Sequence, residues 1–173
     1  MKKGAVEIKK GVLLLKSPEV SESPFDASAY LVCEHSSNAT LALRLDLPFL
    51  ETLPMGVDEL EPITVRRFGG STQKKEIFLL HTDPTAKGLE IGNGLFLGGD
   101  PDIHKEIALV VGYTLWGAGK LIDEFLAGKW YVSPMEPKYL FQTPPEQLWQ
   151  KAVKGLGGRF TYVSHFPKEL TSN

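Results

Sequence analysis

Ala29-Tyr30-Leu31-Val32-Cys33-Glu34-His35-Ser36-Ser37-Asn38-Ala39-Thr40-Leu41-Ala42-Leu43-Arg44-Leu45 is the stretch on which the fold turns. Its second half alternates cleanly: Leu41, Leu43 and Leu45 fall on one face of an extended chain, Thr40, Ala42 and Arg44 on the other. Its first half alternates too, with Leu31, Cys33 and His35 on one side and Tyr30, Val32 and Glu34 on the other. Between them, Ser36-Ser37-Asn38 is a turn signal, because these short polar side chains hydrogen-bond their own backbone. The reading is a β-hairpin, with strands at Ala29–His35 and Ala39–Leu45.

Working outward, Val12–Leu15 is a continuous apolar run that suits a buried strand. Ser17–Asp26, with Pro18 and Pro24, reads as loop. Phe49–Leu53 is set as a single helical turn between Pro48 and Pro54. Ile63–Phe68 is a strand that stops at Gly69-Gly70, and Glu76–His81 is another that ends before Asp83-Pro84. Glycines then cut Leu89–Leu97 into short pieces. Asp100-Pro101 predicts a short helix start, an acid N-cap followed by proline. Ile107–Gly112 is β-branched and apolar. Gly117–Ala127 predicts the best helix, with Leu121, Ile122, Phe125 and Leu126 on one stripe and Gly128 just past its end. Lys129–Ser133 returns to strand. Thr143-Pro144-Pro145-Glu146 has a capping-box pattern that opens a helix with Leu148, Trp149, Ala152 and Val153 inward. Arg159–Ser164 reads as a last strand. Strands and helices interleave without a βαβ rhythm, so the class is α+β.

Composition bounds the function. The chain has 173 residues, enough for one well-buried domain. Residues 1–173 are therefore read as a single domain, residues 1–10 being a basic arm. Its 17 glycines and 12 prolines exceed the combined average of roughly 12%. They predict many short elements. Nine of the 17 glycines lie between Gly88 and Gly128. Net charge is −2, without the basic excess expected of a dedicated nucleic-acid binder. Basic residues concentrate only at the start, in Lys2, Lys3, Lys9, Lys10 and Lys16. Cys33 is the sole cysteine, so no intrachain disulfide or cysteine-based zinc site can form. The longest uncharged apolar-rich stretch is the thirteen residues Ile107–Gly119, short of the roughly 20 that span a bilayer. A soluble, cytoplasmic protein is expected, without a membrane partner.

No Walker A, G-x-S-x-G or H-E-x-x-H motif occurs, and neither a cofactor nor a metal is expected. His35 and His81 each end a predicted strand, a common place for site residues. If their strands pair, they could share a site with Cys33. Tyr113-Thr114-Leu115-Trp116 bridges a strand end to the glycine-opened helix, a junction where pockets form.

That junction, Gly112-Tyr113-Thr114-Leu115-Trp116-Gly117-Ala118-Gly119-Lys120-Leu121 and on to Gly128-Lys129-Trp130, resembles the G-Y-x-G-W-x-x-G-Q-L-E signature of the YqgE/AlgH family (UPF0301, DUF179). Leu13-Leu14-Leu15-Lys16-Ser17-Pro18, Cys33-Glu34-His35, Phe68-Gly69-Gly70 and Phe78-Leu79-Leu80-His81 match further family segments in the same order. The chain departs from the pattern at Ala39, Thr40, Ala42, Asp46 and Pro48, where G-A-x-G-x-x-x-N-[RK]-P is usual. It departs again at Ser71-Thr72, Leu115, Lys120 and Ile122. The resemblance implies an α+β fold with a bifurcated, mixed β-sheet curled into a pseudo-barrel and a few flanking helices. It also implies a bacterial cytosolic protein, some members being described as transcriptional regulators.

The expected function is a non-enzymatic regulatory or binding protein, acting through a protein partner or a small ligand. Its site residues are expected to be His35, Gly69, Gly70, His81, Tyr113, Trp116, Gly117 and Gly119, with no catalytic or metal-ligating residue. The glycines would admit backbone N–H groups to a ligand. The alternatives are a hydrolase built on His35 and His81, or direct DNA binding through the basic N-terminal arm. The residues argue against the latter, because Lys120 is outweighed by Asp123 and Glu124 on the best helix.

Overall fold

A computed structural model describes residues 7–19 and 26–165. Nine strands form one sheet in the order β6-β7-β5-β8-β3-β2-β1-β9, with β4 beside β8 off that path. The strands are β1 (Val12–Lys16), β2 (Ala29–His35), β3 (Ala39–Arg44), β4 (Val65–Phe68), β5 (Thr72–His81), β6 (Leu89–Gly92), β7 (Leu95–Leu97), β8 (Ile107–Gly117) and β9 (Trp130–Pro134). The helices are α1 (Lys120–Leu126), α2 (Pro137–Phe141), α3 (Pro145–Gly155) and α4 (Phe160–Val163). The architecture is α+β, an almost wholly antiparallel sheet curled into a half-barrel. The one parallel pair is β4 with β8.

The hairpin is present as β2 and β3. One detail differs and matters for the site. The register slips between Val32 and Glu34, so that Val32 faces Ala42, Glu34 faces Leu41 and His35 faces Thr40. Cys33 is the extra residue of a β-bulge, and a bulge re-aims every side chain beyond it. Strict alternation would put His35 with Leu31 and Cys33. The bulge puts it instead on the face of Val32 and Thr40.

Strand β8 is the spine. Its first half, Ile107–Val111, pairs with β5 on one side and β4 on the other. Its last residues, Thr114–Gly117, pair with β3. β4 and β3 thus take turns on the same edge, and this is the fork of the sheet. Gly112 sits at the change-over with φ +79°, a conformation that favours glycine. A methyl group on Gly112 would stand 2.3 Å from the Gly70 carbonyl oxygen, and one on Gly69 2.2 Å from that of Gly112. Gly69 also donates its N–H to Val111 and accepts from Arg44 N–H. The sheet therefore splits where three glycines let backbones touch.

The inner face of the curl holds the main core, with Leu13, Leu31, Leu43, Leu80 and Val110 packed against Leu148, Trp149, Ala152 and Val153 of α3. Burying each large apolar side chain contributes about 1.5–3 kcal/mol. Trp149 is fully buried, and its indole N–H donates to the Lys16 carbonyl at 2.9 Å. The outer face of β1, β2 and β9 carries a second cluster, Val12, Leu14, Val32, Trp130 and Val132, beneath Leu121 of α1. The ends of the curl approach one another. Asn93, in the turn between β6 and β7, donates through Nδ2 to the Met135 carbonyl at 2.7 Å.

Four sequence expectations are corrected. Phe49–Leu53 forms no helical turn: Phe49 N–H donates to the Arg66 carbonyl, holding this segment alongside β4. Asp100-Pro101 starts no helix, because the Asp102 carboxylate accepts the His104 N–H and closes a local turn. Arg159–Ser164 is helical, its Val163 N–H returning to Arg159. Thr143 does not cap α3: its hydroxyl donates backward to the Lys138 carbonyl at 2.9 Å, and Pro144 is the N-cap. No helix of the described residues is long and apolar enough to cross a membrane.

Candidate functional site

The bulge in β2, the end of β8 and the start of α1 meet at one pocket of about 280 Å³, lined by His35, Ser36, Ser37, Thr40, Gly117, Gly119, Leu121, Ile122 and Asp123. β3 lies between β2 and β8 here. Thr40 faces His35 on one side and Trp116 on the other. Ala39 faces Gly117, which sets the end of β8 against the hairpin turn. Gly119 enters α1 with φ +72°. Neither Gly117 nor Gly119 has a neighbour where a Cβ would stand.

The His35 ring is half-buried and fixed by one contact, Nδ1 to the buried Thr40 Oγ1 at 2.6 Å. Its Nε2 has no hydrogen-bond partner among the described residues. With the proton on Nδ1, Nε2 offers a lone pair; with Thr40 donating, it offers an N–H. Leu121 and Ile122 supply an apolar wall, and Asp123 a carboxylate at the rim. The arrangement can hold a small molecule with polar groups at one end and an apolar edge.

Trp116 stands on the same face but is packed into the neighbouring aromatic triad. Tyr30, Trp116 and Trp130 meet edge to face, with ring centroids 5.4–5.9 Å apart. The Glu124 carboxylate of α1 accepts both indole N–H groups, at 3.2 and 3.4 Å. This satisfies the indole donors of half-buried Trp116 and buried Trp130 and pins the helix over the sheet beside the pocket.

The other expected residues lie elsewhere. Gly69 and Gly70 are buried at the fork, their open sides filled by the backbone of β8. Tyr113 packs edge-on against Phe78 on the main-core side. His81 faces Ile107 at the far end of β8. Nine residues of that strand separate it from the register of His35, on the order of 30 Å. His81 is 1% exposed, with both ring nitrogens engaged: Nε2 lies 2.6 Å from the Gly98 carbonyl, and Nδ1 accepts the Asp83 N–H at 3.2 Å. Its ring stacks on Phe96. His35 and His81 share no pocket. Among the described residues no group of three His, Cys, Asp or Glu side chains is placed to hold a metal. Residues 1–6 of the basic arm lie outside the described residues.

Burial pushes the Cys33 thiol up to about 12, so it carries no thiolate at neutral pH. Thr40, Leu121, Ile122 and Asp123 were not among the expected site residues. The signal for Thr40 was its place on the polar face of β3, opposite a strand-end histidine.

The model of a family described as AlgH-like matches residues 13–161. Among curated relatives, a UPF0301 protein of Chlamydia trachomatis is 37% identical, the match covering 95% of each chain. A UPF0301 protein of Chlorobium limicola is 30% identical over 94% of each. Among solved structures, a crystal structure of a Corynebacterium diphtheriae protein superposes with a TM-score of 0.77 at 20% identity, covering 95% of this chain and 94% of that one. The solution structure of the AlgH protein from Pseudomonas aeruginosa superposes with a TM-score of 0.70 at 23% identity, covering 95% and 97%. At these identities the two structures support the fold.

Proposed function

The chain belongs to the AlgH-like, UPF0301 family, and from that premise we propose that it is a regulatory binding protein whose ligand site is the pocket at His35. The observation that carries the reading is the pairing of His35 with Thr40, which fixes the imidazole while leaving Nε2 unengaged at a formed pocket. At about 280 Å³ the pocket suits a small metabolite. Asp123 favours a neutral or cationic ligand over an anion. Leu121 and Ile122 would cover its apolar edge.

In this reading residues 1–173 act as one unit, in the cytosol and without a cofactor. The continuous sheet and the family match over residues 13–161 support the single unit. The regulatory output passes through the bound ligand or a protein partner, and gene expression is affected without direct DNA contact.

The test is a ligand-observed NMR and thermal-shift screen of small polar metabolites on wild type, His35→Ala and Thr40→Val. A compound that binds wild type at least about tenfold more tightly than either variant supports the site. The reading fails if every compound that binds does so equally well to all three folded proteins.

A further inference from the structure

The turn that joins β6 to β7 is Asn93-Gly94, and the Asn93 side chain is also what fastens the two ends of the curled sheet. We propose that Asn93 is a modification site: its carboxamide is converted to a carboxylate by reaction with its own backbone, at a rate set by how often the curl opens at this seam.

The sequence is the first ground. Deamidation begins when the next residue's backbone nitrogen attacks the asparagine side-chain carbonyl carbon. It is fastest where that next residue has no side chain to obstruct the approach. The asparagines are Asn38, Asn93 and Asn173, and of these Asn93 alone is followed by glycine.

The seam is the second ground. Asn93 and Gly94 are both exposed, so water reaches them. Their φ values, +54° and +79°, are those of a tight two-residue hairpin turn. A methyl group on Gly94 would meet nothing within 4 Å, so no neighbouring group shields the turn. One contact opposes the reaction: Asn93 Nδ2 donates to the Met135 carbonyl at 2.7 Å. That bond holds the carboxamide toward the end of β9, whereas attack needs it folded over the Gly94 nitrogen. The seam is narrow. Met135 N–H donates to the Gly11 carbonyl at 3.3 Å, and Gly11 lies so close to Ile91 that a methyl group on it would stand 2.6 Å from the Ile91 oxygen. β6 and β7, four and three residues long, close the end of the sheet. Short terminal strands open at a free energy well below that of global unfolding. Opening and reclosing are fast beside the chemistry, so the rate follows the open population.

The steps balance. The Gly94 nitrogen bonds to Asn93 Cγ and the Cγ–Nδ2 bond breaks. Nδ2 leaves as ammonia, carrying the Gly94 N–H proton, and a five-membered imide remains. Water then adds to one of its two carbonyl carbons. Addition at Cγ breaks the Cγ–N bond and gives aspartate. Addition at the main-chain carbonyl carbon breaks the other C–N bond and gives isoaspartate, with the chain routed through Cβ. Neither product can refasten the seam. A carboxylate has no hydrogen to donate to the Met135 carbonyl. Isoaspartate also adds a backbone carbon to a turn closed by the Gly92–Leu95 pair. Each conversion therefore raises the open population and leaves a permanent record of opening.

Full-length protein is held in heavy-oxygen water at neutral pH, native and in urea, and its peptides are followed by mass spectrometry. Asn93 is expected to take up one labelled oxygen, severalfold faster in urea than in the native state, and in urea faster than Asn38. Gly11→Ala, which crowds the seam and leaves the turn alone, is expected to raise the native rate severalfold without changing the rate in urea. Wild type in urea just below its unfolding transition provides the same test should that variant not fold. Asn93→Asp is expected to quicken amide exchange in Leu89–Leu97 and to leave β2 and β3 unchanged. The proposal is overturned if Asn93 stays unmodified in urea, or if native and unfolded chains react at the same rate. Amide exchange in β6 and β7 that Asn93→Asp leaves as in wild type also overturns it.

Discussion

Cys33 sits in the bulge that turns β2, and its burial dictates a response to alkali. Its folded value, about 12, lies above the 9.0 of an ordinary cysteine thiol, so the unfolded chain loses the thiol proton first. Between those two values the folded state holds more protons, and stability falls as pH rises. The full contribution is present below pH 9 and is lost toward 12, at up to about 1.4 kcal/mol per pH unit. Denaturant unfolding of wild type should show this decline, and Cys33→Ala should flatten its first part. Tyr30 and Tyr131, also raised by burial, steepen the curve above their ordinary range. Arg67 makes a complementary case. It is 7% exposed; Nη1 donates to the Arg66 carbonyl, and Nε is buried without a partner among the described residues. Burial lowers its pKa, a sign that the charge is held at a cost. Arg67→Met, which keeps the length and removes the charge, should be neutral or stabilising by about 1–2 kcal/mol. A denaturation midpoint that falls clearly would show that the guanidinium has a stabilising role.

At the scale of elements, glycines of one composition do opposite work. Gly112→Ala places a methyl group 2.3 Å from a carbonyl oxygen at φ +79°, and should cost more than about 3 kcal/mol or prevent folding. Gly117→Ala meets open space at an ordinary φ and should change stability by less than about 0.5 kcal/mol. Thermal melts of the two variants separate the fork from the pocket. Trp149→Ala, emptying the centre of α3's inner face, should cost about 3–5 kcal/mol. Periodicity made the β2–β3 hairpin legible, because one face is buried and the other is not. The apolar stripe of α3 was legible for the same reason, as was that of α1 apart from Leu126, which faces solvent at 76% exposure instead of packing with Leu121, Ile122 and Phe125. The reach of β8 past Gly112 was not, since a glycine in a strand reads as a stop unless the neighbouring backbone that it admits is known. Nor was the orientation of His35: one unpaired residue reverses a strand's alternation, and nothing in Val32-Cys33-Glu34 marks the slip. Hence His35, Gly117 and Gly119 were legible as site candidates, while their partners Thr40, Leu121 and Ile122 came only from register.

At the scale of the molecule, the sheet curls until its β6–β7 turn reaches the end of β9. Asn93→Ala removes the side-chain bond that fastens this approach and should cost about 1 kcal/mol. Hydrogen exchange should quicken in β6 and β7 before it does in β2 and β3. The strand β8 has a further consequence, for synthesis. It is the neighbour of β3, β4 and β5 alike, yet it follows all three in the chain. In a nascent chain that has emerged only as far as Glu106, β3 can pair with β2 and β5 with β7, but β4 and the second edges of β3 and β5 still lack their shared neighbour β8. Unpaired edges of this kind template association with other chains. The interval between the emergence of His81 and that of Gly117 is the window in which this protein most needs a chaperone's shelter, and slow translation there would lengthen it.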